Sequence, residues 1–327
     1  MIDPELLLRG QVNEVAPGVW YIPALMANVY FAGDADGRWV MIDAGTPGTA
    51  WRLRTAAKEV FRDARPWAII LTHGHFDHVG ALEELSREWD VPVFAHPLEF
   101  PYLDGRDQYP PPDPTVGGFM AQLSRMFPRK GVQVSERLRP LMVDGSVPYM
   151  PGWRFIHTPG HTPGHVSLFR DSDRTLIAGD AIITIDQQNP LKLFSQVREF
   201  HGPPHYFTQD WESARRSIQA LVDLRPRTVA TGHGLPLSGD DVPELLARFA
   251  AEFQPPAQGR YVDSPALADE QGTYYIPPRP RDAVPLYAAG VALAAMGLVY
   301  YATRTKKRPQ VNTAVAVRDP YLREPYI

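Results

Sequence analysis

The sequence predicts an α/β fold of stacked layers, and three observations carry that expectation. From Val19 to Ala95, short apolar runs alternate with helical patterns, the order that builds layered α/β domains. The runs end in turns that contain glycine. Those turns, rather than the runs, hold most of the histidines and several aspartates.

Three strands are expected early, at Val19–Ile22, Asn28–Phe31 and Trp39–Ile42, with a hairpin turn over Ala32–Gly37 signalled by its glycines and aspartates. Asp43-Ala44-Gly45 closes the third strand, and Thr49–Phe61 reads as a helix. Trp67–Leu71 is a short buried strand, Gly80–Leu85 opens a helix, and Val91–Ala95 is another strand. Residues 97–150 break the rhythm. Tyr109–Pro114 contains four prolines, which neither a helix nor a central strand accepts. Phe119–Phe127 is expected as a short helix there, and the whole insertion as a lid or pocket wall. Strands resume at Trp153–His157, Val166–Phe169 and Thr175–Ala178. Asp210 is an N-cap for a helix with its apolar face at Trp211, Ala214, Ile218, Leu221 and Val222. A strand at Thr228–Ala230 and a helix at Asp241–Phe253 complete the layered part.

Composition narrows the function. With 44% hydrophobic and 21% charged residues over 327 positions, the chain is a folded protein rather than a disordered one. A net charge of -4 offers no field for nucleic acid, so a small-molecule partner is expected instead. Cysteine is absent, which excludes disulfides and thiolate ligands; any metal must be held by nitrogen and oxygen. The N-terminus lacks the basic start and apolar core of a signal peptide. Residues 255–282 read as a proline-rich linker or strap. From Ala283 to Thr303 no charge occurs, tyrosines stand at both ends, and basic residues follow. That segment is expected as an apolar helix, either crossing a membrane or packed on the domain, with 304–327 as a polar tail. The expected location is therefore cytoplasmic, or membrane-anchored through 283–303.

The chemistry concentrates in Thr72-His73-Gly74-His75-Phe76-Asp77-His78, which follows the Trp67–Leu71 strand directly. Imidazole nitrogen and carboxylate oxygen are ligands for zinc and similar divalent ions, which need several such groups at one point. Three further segments share the same form, a strand end followed by His or Asp beside glycine: His161, Asp180 and His233. Five imidazoles and two carboxylates suffice for two ions sharing one carboxylate and one water. His165, in the repeated Pro-Gly-His, is the rival of His161; only His161 stands in a T-P-G-H-T turn. His96, His157 and His201 carry no ligand pattern.

At these residues the chain resembles the metallo-β-lactamase superfamily, whose H-x-H-x-D-H signature reads here His73-Gly74-His75-Phe76-Asp77-His78. The resemblance extends to His161, to Asp180 in a G-D pair, to His233 in G-H-G and to Asp43 in I-D-A-G. It implies a four-layer αβ/βα sandwich over residues 1–254. It also implies His73, His75 and His161 on one metal, Asp77, His78 and His233 on the other, and Asp180 between them. Asp43 is then a partner orienting the metal turn. Two ions, zinc by ligand type with iron or manganese as alternatives, would turn a shared water into hydroxide that attacks a carbonyl, with Asp77 passing a proton to the leaving group. The implied reaction is hydrolysis of a small ester, lactone or thioester, since Asp180 and the absence of cysteine disfavour β-lactamases and the charge disfavours nucleases. Phe194, His205 and Tyr206 are candidate substrate contacts in the aromatic loop at 190–207. Two alternatives are a metal-stabilised, non-catalytic domain recruited by its tail, and a mononuclear-iron sulfur oxidase.

Overall fold

The computed structural model describes residues 12–33, 37–129, 131–189 and 197–282. Strands β1 (Asn13–Ala16), β2 (Val19–Ala24), β3 (Ala27–Gly33) and β4 (Trp39–Ile42) form an antiparallel meander. Helix α1 (Ala50–Phe61) then crosses to β5 (Ile69–Ile70), and α2 (Leu82–Trp89) to β6 (Val93–Ala95), both strands parallel to β4. The insertion holds α3 (Phe100–Leu103), α4 (Phe119–Leu123) and β7 (Leu138–Pro140), which closes a seven-stranded sheet in simple chain order. A proline in β7 is tolerable because that strand lies at the sheet's edge.

The second sheet contains β8 (Trp153–His157), β9 (Val166–Arg170), β10 (Thr175–Gly179), β11 (Thr228–Thr231) and β12 (Leu237–Ser238), in the order β12-β11-β10-β9-β8. Helix α5 (Trp211–Asp223) makes the crossover that lets β11 run parallel to β10, and α6 (Val242–Glu252) follows β12. Asp210 caps α5 as its residue type predicts, accepting from the Ser213 N–H at 3.0 Å.

Side-chain alternation assigns the layers. In β3 and β4, Val29, Phe31, Trp39 and Met41 pack with Leu53 of α1 and Leu82 and Leu85 of α2. Their neighbours Tyr30, Val40 and Ile42 point the other way and meet Val166, Leu168, Ile177 and Ala230 of the second sheet. On its far face that sheet presents Leu176, Ala178 and Val229 to Trp211, Ile218 and Leu221 of α5 and Leu246 of α6. The order helices, sheet, sheet, helices is the four-layer αβ/βα sandwich.

Two C-terminal readings come out differently. Residues 255–282 contain a hairpin, β13 (Leu267–Asp269) with β14 (Gly272–Tyr275), and bury Tyr261 and Ala266 against the α5–α6 layer. This segment also pins the insertion: the Tyr261 hydroxyl donates to Pro111 O at 2.6 Å, and Tyr102 and Thr273 share a hydroxyl pair at 2.8 Å. The expected C-terminal apolar helix, with its membrane partner and membrane anchoring, is corrected. Among the described residues no helix is long and apolar enough to cross a membrane, and 283–303 lies outside them. A charge-free stretch meets a condition for entering lipid without specifying a helix.

Candidate metal centre

Every segment of the site leaves one of the two sheets at the same edge. Thr72–His78 follows β5, Asp43 follows β4, His161 lies between β8 and β9, Asp180 follows β10 and His233 follows β11. The two sheets are tied together there. Asn28 donates its side-chain amide to Thr231 O at 2.8 Å and Gly234 O at 2.7 Å, and the Tyr30 hydroxyl donates to Thr231 O at 2.8 Å.

Ligand atoms of His73, His75 and His161 lie within 4.8 Å of one another, as do those of His73, His78 and Asp180, and those of Asp77, His78 and His233. All seven residues are buried. Asp180 sits among them: its Oδ2 is 3.1 Å from His233 Nε2 and 3.4 Å from His161 Nε2, and its Oδ1 is 3.5 Å from His78 Nε2. Asp77 Oδ2 is 3.6 Å from His233 Nε2, and His75 Nδ1 is 2.9 Å from His161 Nε2. Ligand atoms on one cation with bonds of about 2.0–2.2 Å stand about 3.4 Å apart, so these separations suit ligands sharing ions. The Nε2 atoms of His73, His75 and His78 are buried without a hydrogen-bond partner, a state that costs about 1–3 kcal/mol each unless something else satisfies the nitrogen. Nitrogen and carboxylate donors of this kind fit divalent metal ions.

Electrostatics divide the cluster. Burial, then neighbouring imidazoles, hold His73 and His75 well below the ordinary histidine value, and burial pushes His161 down to about 3. Neutral imidazole is the form that binds metal. Burial also disfavours charge on His78 and His233, but the carboxylates of Asp180 with Asp43, and of Asp180 with Asp77, outweigh it and hold both above the ordinary value. Asp180 is held well below the usual carboxylate range: burial opposes its charge, and His233 and His78 overcome that opposition.

Asp43 lies behind the first turn. Its backbone is left-handed, φ 61°, and its Oδ1 accepts from the Thr72 N–H at 2.8 Å. Oδ2 takes the Thr72 hydroxyl and faces His78 Nδ1, each at 2.8 Å, while Thr72 Oγ1 also lies 3.0 Å from His73 Nδ1. One carboxylate thus orients two histidines, one of them through Thr72, whose part no spacing pattern signals. His233 is oriented by Met26 O, 2.7 Å from its Nδ1. Gly232 leaves the needed room, because a Cβ there would overlap Asp180 Oδ1 and lie 2.8 Å from His78 Cε1.

His165 stands apart from the ligand triads because both its nitrogens are in use. Nε2 accepts from the Asp180 N–H at 2.9 Å, and Nδ1 pairs with Thr158 Oγ1 at 2.8 Å. Of the expected substrate contacts, Tyr206 is buried, and burial followed by the charges of Asp77 and Asp180 pushes its phenol well above the ordinary value. Tyr206 and Phe207 form a small apolar cluster with Phe76 of the metal turn and with Phe127 and Met120 of the insertion. His205 is not brought to the metal cluster; it packs edge-on against Trp211 at 5.1 Å, and its charged neighbours are His201 and Asp186. Phe194 lies outside the described residues.

A four-layer sandwich with a histidine–aspartate cluster at the common edge of its sheets defines a metal-binding hydrolase. The family model of the Metallo-beta-lactamase superfamily matches residues 22–233, and the chain belongs to that superfamily as a metallo-hydrolase. The chain is 46% identical over 263 residues to the probable metallo-hydrolase YflN of Bacillus subtilis, covering 77% of this chain and 100% of that protein. It is 25% identical over 166 residues to the hydroxyacylglutathione hydrolase GloC of Haemophilus influenzae, covering 49% of this chain and 69% of that one. Among solved structures, the metallo-beta-lactamase family protein TTHA1429 of Thermus thermophilus superposes with a TM-score of 0.50 at 25% identity, covering 73% of this chain and 80% of that one.

Proposed function

We propose that this metallo-hydrolase cleaves a small ester, lactone or thioester at a dinuclear centre. His73, His75 and His161 would hold one ion, Asp77, His78 and His233 the other, and Asp180 both. The observation that carries this reading is the position of Asp180, whose two oxygens face three imidazoles drawn from both halves of the cluster. When bound, two divalent ions supply an activated water and polarise the carbonyl under attack. Zinc suits the donor set, and iron and manganese bind similar sets.

The chain's own residues supply position, dryness and a proton path. Asp43 and Thr72 hold His73 and His78 in orientation. Asp77, raised above the ordinary carboxylate value chiefly by burial, is placed to carry a proton to the leaving group. Tyr206, Phe207, Phe76 and Phe127 pack as an apolar cluster beside the metal turn, with Phe207 stacked on the His75 ring at 4.4 Å, which excludes bulk water from that side and suits a substrate with an apolar portion. A relative named for hydroxyacylglutathione hydrolysis supports including thioesters in the class. The test is metal analysis of the purified protein combined with hydrolysis of a panel of chromogenic esters, lactones and thioesters. Two equivalents of metal and turnover of one class support the reading; a loaded protein inert to the whole panel sinks it.

A further inference from the structure

The His73–His75–His161 triad contains no carboxylate, whereas each of the other two contains one. A buried carboxylate nevertheless lies directly behind it. Glu99, fully buried at the end of the 3-10 turn Pro97–Glu99, accepts from four donors. Its Oε2 takes the Gly74 N–H at 3.0 Å and the Tyr109 hydroxyl. Its Oε1 takes the Thr162 hydroxyl at 2.7 Å and the Gly164 N–H at 2.8 Å. Gly74 lies between His73 and His75, and Thr162 follows His161. One side chain therefore staples together the two turns that carry this whole triad, and none of its four bonds goes to Asp77, His78 or His233.

The glycines of both turns make that approach feasible. A Cβ on Gly164 would sit 2.8 Å from Glu99 Cγ and Oε1, and one on Gly74 would sit 2.7 Å from the Tyr109 hydroxyl. Burial raises the Glu99 carboxyl above its ordinary value, and its four donors work against that: four donors on two oxygens match an ionised carboxylate, which only accepts. An anchor for a loop alone would be served as well by apolar packing, without the desolvation cost of a buried charge.

We propose that Glu99 is a positioning residue that pre-assembles the His73–His75–His161 triad, setting the spacing between its two turns and placing negative charge behind three neutral ligands. This rests on the reading of those histidines as metal ligands.

The test uses the full-length protein, stripped of metal with a chelator and titrated with cobalt(II), with visible absorption and chelator competition as readouts. Wild type, Glu99→Gln and Thr162→Val are compared. In Glu99→Gln, one of two cobalt equivalents is expected to weaken by about 10- to 100-fold while the other stays within about threefold, the range found when a partner of a metal ligand is removed. Thr162→Val should weaken the same equivalent by less, and it decides by the same criterion if Glu99→Gln does not fold. Equal weakening of both equivalents, or unchanged binding, overturns the role of Glu99 alone. A wild-type protein that binds no cobalt overturns the metal-centre reading, and this proposal with it.

Discussion

His233 Nε2 lies 3.1 Å from Asp180 Oδ2, although 53 positions separate the two residues in the chain. The parallel pairing of β10 with β11 makes this contact: each residue stands just past the end of its strand, so adjacent strands deliver both side chains to one place. Replacing Asp180 by Asn should therefore keep the fold and disturb both halves of the centre. The expected result is metal content falling below two equivalents, with turnover reduced by more than about a hundredfold. Elemental analysis alongside the ester and thioester assay checks it.

Asp43→Asn leaves a residue that tolerates the left-handed backbone but turns an acceptor toward donors into a mixed group. Thr72 and His78 lose their common anchor. Metal affinity should fall by about 10- to 100-fold with little change in circular dichroism. Unaltered affinity in a chelator competition would show that Asp43 orients nothing.

A chain of hydrogen bonds holds the turn at Gly179. The Asp180 N–H donates to His165, His165 Nδ1 to Thr158, Thr158 to Ser167 at 3.0 Å, and Ser167 to Ala178 O at 2.9 Å. Each donor is used once, which requires neutral His165, and burial pushes its imidazole down to about 3. His165→Phe strands the Asp180 N–H at a cost of about 1–3 kcal/mol. Urea denaturation of the metal-free protein should register the loss, while Asp210→Ala, which removes only the cap of α5, should cost about 1 kcal/mol.

The pH dependence has a separate marker in His96. Burial, with the His157 ring stacked at 4.3 Å, lowers its value from 6.5 to about 4. Its Nδ1 accepts from the Leu98 N–H at 3.3 Å, at the start of the turn that carries Glu99. Between those two values the unfolded chain binds a proton that the folded chain refuses. This contribution is intact above about 6.5 and is lost as the pH falls toward about 4. His96→Asn keeps a capping acceptor without titrating, so its denaturation midpoint should drop less than that of wild type between pH 7.5 and 5. Equal drops would remove His96 from the account.

Gly232→Ala tests the crowding behind Asp180. A methyl group there overlaps Asp180 Oδ1, so the carboxylate must swing away from His78. Metal content should fall as is expected of Asp180→Asn, although no charge has been removed. Full loading of the alanine variant would mean that the carboxylate has room to spare.

Much of this was legible along the chain. The apolar runs of β3 and β4, the N-cap at Asp210 and the clustered His73–His78 turn are local patterns, because a short strand and a tight turn each place side chains within a few positions. The C-terminal run misled for the same reason, since lack of charge is a local property and a helix through lipid is not. Partners brought together by strand order left no such trace. Glu99 meets Gly74 across 25 positions and Gly164 across 65, from inside an insertion that reads as irregular. Turn form alone separates His161 from its rival His165 along the chain, whereas in the fold both nitrogens of His165 are bonded, to Thr158 and to the Asp180 N–H. The sequence by itself determined that histidines and aspartates stand in glycine-bearing turns at strand ends. Only the tertiary structure decided which buried groups hold them in place, because a hydrogen bond depends on distances that folding alone creates.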